Sequence, residues 1–149
     1  MGRSIHRIDH VIVTWLQALE VPLARLAIFV VYFWFGSLKL LGMSPATPLV
    51  QALFARTVTF ISFDAFYLSF AAFEVIIGIL FLIPRTERIA MPLLALHLVT
   101  TIMPLVFLPE ITWQAFLVPT LEGQYIIKNI LIAASAVVVG SKVMKLSAE

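Results

Sequence analysis

A cation inside a membrane-length apolar run constrains this chain more than anything else in it. From Pro119 to Ser141 the sequence is long and apolar enough to cross a bilayer, yet Lys128 sits well within it. A charge at that depth costs about 3 kcal/mol on insertion scales, so it is expected to face other helices or water and to have a partner. The composition points the same way. Of 149 residues, 62% are hydrophobic and 12% charged, and the mean hydropathy is +1.06. A soluble domain of this size has too little interior to hide so much apolar surface. The expected class is all-α: an integral membrane four-helix bundle preceded by an amphipathic interfacial helix, all in a single membrane domain over residues 1–149.

The pattern along the chain sets the expected elements. Residues 4–20 place Ile5, Ile8, Ile12, Trp15 and Leu19 on one face at helical spacing, with Arg7, Asp9, His10, Thr14 and Gln17 elsewhere. That predicts a helix lying at the membrane surface, anchored by Trp15 and ended by Pro22. Trp15, Gln17 and Glu20 interrupt any clean apolar core, which argues against a cleaved signal peptide. Spans are predicted over 23–41, 65–83 (with Asp64 as N-cap), 89–108 and 121–141 (with Thr120 as cap). Pro92 and Pro104 are expected as tolerated kinks. Residues 43–62 form a short interfacial or re-entrant segment, 84–88 a tight polar turn, and 109–119 a longer loop with Trp113 and Phe116 at the interface. An N-terminus on the cytoplasmic side puts Arg3, Arg7, Arg25, Arg85, Arg88, Lys142 and Lys145 on or near that side and leaves Arg56 opposite, so both termini are expected to be cytoplasmic.

Depth can be read from spacing. Lys39 lies fourteen positions after Arg25, and Lys128 fourteen before Lys142, each about 21 Å at helical rise. Glu74 comes out about 16 Å from Arg85, and His97 about 14 Å from Arg88. Lys39, Glu74, His97 and Lys128 thus occupy neighbouring levels, with Glu122 near the boundary and Tyr125 a hydrogen-bonding candidate. Two readings stand at this point. In one, Glu74 pairs with one or both lysines and locks the bundle. In the other, the set forms a polar cavity that takes a quinone or lipid headgroup, or passes protons. Glu122 at a helix start is also accounted for by the helix dipole alone, and Lys39 near a span end by snorkelling. Gly36 and Gly123 are expected to allow close helix approach.

Several chemistries are excluded. There is no cysteine, hence no disulfide, thiolate metal site, iron–sulfur ligation or dithiol redox chemistry in the chain. His97 alone among the predicted spans cannot make a bis-histidine haem site. No nucleophile–base pair, phosphate loop, metal cluster or nucleic-acid motif is present. No catalytic residue is expected, and no cofactor built by this chain.

The residues also resemble a family. The Gly36-x-x-Lys39 end of the first span, within Trp34 to Lys39, is similar to a signature of the DoxX superfamily. The Pro48–Val50 step, Glu74-x-x-x-Gly78, and Gly123 through Lys128 to Asn129 fit as well. Together they most resemble the RclC/YkgB-type branch, associated with reactive-chlorine resistance, over about residues 23–141. The N-terminal helix is longer than the resemblance implies. What it implies otherwise is a four-helix protein of the bacterial inner membrane, acting in redox or oxidative-stress defence beside a quinone or a partner oxidoreductase, with Gly36, Lys39, Glu74, Gly123 and Lys128 as the matching positions. The expected partners are the bilayer and either an oxidoreductase or a second copy. The alternatives are a small proton-linked or anion transporter and a scaffold for membrane assembly.

Overall fold

The computed structural model describes residues 2–58 and 60–143, with side chains from Asp9 onward. The side chains of Arg3, Ile5, Arg7 and Ile8, and all of Lys145, lie outside the described residues. The chain is almost entirely helical: α1 (Gly2–Leu40), α2 (Thr47–Thr57), α3 (Phe63–Leu82), α4 (Glu87–Ile102), α5 (Pro104–Phe107), α6 (Pro109–Thr112), a two-stranded antiparallel hairpin of β1 (Trp113–Ala115) and β2 (Val118–Pro119), then α7 (Leu121–Ile127) and α8 (Asn129–Val143). Four segments are long and apolar enough to cross a membrane: Asp9–Leu40, Phe63–Leu82, Glu87–Phe107 and Leu121–Val143.

The first helix departs from expectation. Pro22 removes one N–H and sets its ring against the Ala18 carbonyl, which commonly ends a helix. Instead α1 runs unbroken for 39 residues, or about 58 Å. One missing hydrogen bond is outweighed by the intact turns on either side, and long apolar helices tolerate proline where the flanking backbone remains paired. Residues 9–20 are therefore part of α1 and not a separate element. Every residue from Asp9 to Leu19 is exposed, and the first tie to the bundle is Glu20, which meets Lys142 at the end of α8 at 2.8 Å.

Other boundaries shift for identifiable reasons. Ser62, not Asp64, caps α3, its hydroxyl accepting from the Ala65 N–H at 3.4 Å; Asp64 sits in the first turn, where the helix dipole favours a carboxylate. Pro92 lies inside α4, whereas Pro104 opens the separate turn α5 after Met103. Thr120 caps α7 through the Gly123 N–H at 3.2 Å and donates to the Ile111 carbonyl at 2.7 Å. The fourth span is divided at Lys128, between α7 and α8.

The largest interface is α1 against α3, with α8 and α4 completing the bundle. A methyl group at Gly36 would lie 2.9 Å from Val75 Cγ2 and 3.0 Å from the Ala71 carbonyl oxygen, and one at Gly78 only 2.8 Å from the Phe33 backbone nitrogen. These two glycines set how closely the helices approach, the device expected where lipid tails compete equally for apolar faces. The core is Ile28, Tyr32, Ile77, Phe81, Ala90, Leu94, Ala136 and Val139.

The two ends of the bundle are stitched separately. At the end nearer the termini, Arg25 pairs with buried Glu87 and donates to the carbonyls of Phe81 at 3.3 Å and Ile83 at 3.5 Å. At the other end, Arg56 of α2 donates to the Phe107 carbonyl and pairs with Glu110 at 2.6 Å, and Thr47 meets the Tyr67 hydroxyl at 2.5 Å.

Candidate functional site

Three helical stripes converge on one polar layer. On α1, Tyr32, Gly36 and Lys39 share a face at spacings of four and three; on α3, Ala71, Glu74 and Gly78 do so at three and four; on α4, Ala90, Leu94, His97 and Thr101 do so at four, three and four. The α3 and α4 stripes begin in small or apolar residues. Where the three meet, they carry a phenol, an ammonium, a carboxylate and an imidazole.

These four groups form one continuous chain of contacts. Lys39 Nζ donates to Glu74 Oε2 at 2.6 Å. Glu74 Oε1 meets His97 Nε2 at 3.0 Å, and His97 Nδ1 meets the Tyr32 hydroxyl at 3.0 Å and Thr101 Oγ1 at 3.2 Å. Thr101 also donates to the His97 carbonyl at 2.9 Å, which leaves Tyr32 as the donor to Nδ1. The tautomer that satisfies every atom carries its proton on Nε2, directed at the carboxylate. The Lys39 and Glu74 side chains are of opposite charge type and in direct contact, the pairing that burial of either one calls for.

Enclosure is nearly complete: Tyr32, Lys39, Glu74 and His97 are each less than one-tenth exposed. Aromatic rings close the remaining sides. Phe70 stacks on the His97 ring with centroids 5.0 Å apart and lies 5.9 Å from Lys39 Nζ, while the Tyr32 ring meets the imidazole edge-on at 4.9 Å. Breaking such a pair by removing one partner costs about 3–5 kcal/mol, because a charge is left buried without its counter-ion.

Lys39, Glu74 and His97 therefore come together, but the other predicted members do not join them. Glu122 and Tyr125 on α7, and Lys128 at its C-terminal cap, are all exposed. Lys128, expected to be drawn into the bundle by a partner, instead points outward, its Nζ 5.1 Å from the centre of the Tyr125 ring. The reason is rotational: on α7 the residues facing the bundle are Gly123 and Ile126, and Lys128 falls off that face. Gly123 itself packs so tightly that a Cβ would run into the Thr112 carbonyl oxygen of α6.

Tyr32, Thr101 and Phe70 were not among the predicted site residues. Their signal is spacing: Tyr32 is seven positions before Lys39, Thr101 four after His97, and Phe70 four before Glu74, each on the same helical face as its partner. Among the described residues, every buried side-chain nitrogen and oxygen already has a partner. An enclosed chain of this kind can share protons or lock the bundle.

No protein-family model, curated protein or solved structure matches the chain.

Proposed function

We propose that this chain is a multi-pass accessory subunit of the bacterial inner membrane, with both termini cytoplasmic, that works in redox or oxidative-stress defence beside a partner oxidoreductase. In this reading the Tyr32–His97–Glu74–Lys39 chain is its proton-handling element. Its DoxX-like motifs suggest the class; the observation that carries the chemistry is an imidazole and a carboxylate in direct contact, both enclosed between helices otherwise built from apolar residues. Ionisable groups at membrane depth are costly and are retained where they serve a pathway or a partner. Glu74 accepts from Lys39 on one side and His97 on the other, so it links the imidazole to the ammonium. Quinone chemistry, in this proposal, belongs to the partner.

One observation favours a second reading, that of a structural lock within an assembly scaffold: the absence of any unsatisfied buried side-chain atom among the described residues. The double variant Lys39→Met/Glu74→Leu separates the two. Replacing a buried pair with apolar groups of similar size is often neutral for folding. The variant should keep the fold while losing protection against a hypochlorite challenge in cells that depend on this chain. Protection equal to that of the wild type would remove the proton-handling role and leave the lock.

A further inference from the structure

We infer that the lipid-facing surface of α7 around Lys128 and Tyr125 holds the phosphate of an anionic phospholipid. The inference rests on the membrane reading above, and not on the proton-handling role. Arg25, Lys39, Arg56 and Lys142 each hold a carboxylate of this chain. Lys128 holds none among the described residues; its contact is the Tyr125 ring, one turn nearer the start of α7.

Direction and depth identify the occupant. Side chains on a helix lean toward its N-terminus, and the Lys128 ammonium lies back over Tyr125 as that rule requires. Lys128 is eight positions past the cap residue Thr120, about 12 Å along the axis, so its ammonium is carried back toward the bilayer boundary, where phosphates lie. Beside it, Tyr125 is 63% exposed and presents a phenolic hydroxyl, a second donor for the same phosphate. On the opposite side, deeper in the span, Ile130 and Leu131 are 71% and 67% exposed, a bare apolar band. A cation and a phenol above an apolar band match a phospholipid, with its phosphate at the boundary and its acyl chains below.

The test uses the full chain in nanodiscs of mixed phosphatidylglycerol and phosphatidylcholine, with retained lipid read by native mass spectrometry. Wild type should retain phosphatidylglycerol over phosphatidylcholine by about fivefold, the worth of one basic side chain at an anionic membrane surface. Lys128→Arg should keep that preference, and Lys128→Met should lose it. Lys128→Gln, which retains a polar side chain, guards against a folding artefact and should lose it too. Undiminished preference in both neutral variants would overturn the inference, as would a dimer that dissociates in them with the lipid ratio unchanged. A chain that fails to enter the bilayer at all would sink the membrane reading as well, and is seen beforehand by size exclusion.

Discussion

Lys39 and Lys128 begin as near equivalents. Each lies fourteen positions from a basic residue at the same end of the bundle, and each interrupts an apolar span. Yet Lys39 is 7% exposed and bonded to Glu74, whereas Lys128 is exposed against a tyrosine ring. Two geometric facts separate them. Lys39 shares a helical face with Tyr32 and Gly36, the face α3 packs against; Lys128 lies off the face that carries Gly123 and Ile126. The helices also run in opposite directions, so the same backward lean directs Lys39 toward the middle of α1 and Lys128 toward the end of the bundle that holds Thr120. Depth along the axis decides that a charge needs an answer. Rotation about the axis and chain direction decide which answer it receives.

That contrast can be broken, and the largest effect belongs to the buried lysine. Lys39→Met leaves Glu74 charged with only His97 for company, and should destabilise the bundle by about 3–5 kcal/mol in denaturant unfolding from detergent micelles. A loss below about 1 kcal/mol would mean that Glu74 is readily neutralised and that the pair is not the anchor described above.

A smaller effect is expected at the glycine that makes the pairing possible. Gly36→Ala places a methyl 3.0 Å from Glu74 Cβ as well as against Val75 and the Ala71 carbonyl. Helix α1 must then shift from α3, at a cost of about 1–3 kcal/mol. Unchanged stability would show that this contact has slack. Smaller again is Tyr32→Phe, which removes the hydrogen bond donated to His97 Nδ1 and is expected to cost about 1 kcal/mol in the same unfolding experiment. The smallest is Lys128→Met: no resolvable change in stability, because that side chain contributes no bond to the bundle.

Much of this arrangement is legible from residue type and spacing, and the remainder fails for definite reasons. Long apolar runs locate the four helical segments long enough to cross a membrane, and Thr120 announces its cap because a hydroxyl before an apolar run has little else to do. The meeting of Lys39, Glu74 and His97 follows from level, since charges at one depth in a small bundle have few other places to go. Tyr32 is harder to read: a tyrosine in an aromatic-rich span resembles packing until its register with Lys39 is considered. Glu87 looks like a surface residue in a polar turn, and only the return of α3 alongside α1 brings that turn to Arg25. Pro22 misleads in the opposite sense, because local backbone preference is overridden by a helix long enough to continue on both sides. Lys128 misleads because axial spacing carries no information about which neighbour lies across the interface.

The most direct measurement is the interaction energy between Lys39 and Glu74, from a double-mutant cycle of Lys39→Met, Glu74→Leu and the pair of substitutions, followed by denaturant unfolding in one detergent. Each single variant should lose about 3–5 kcal/mol and the double variant should recover most of that, giving a coupling of several kcal/mol. Additive losses, with no recovery in the double variant, would contradict a bundle organised around this pair.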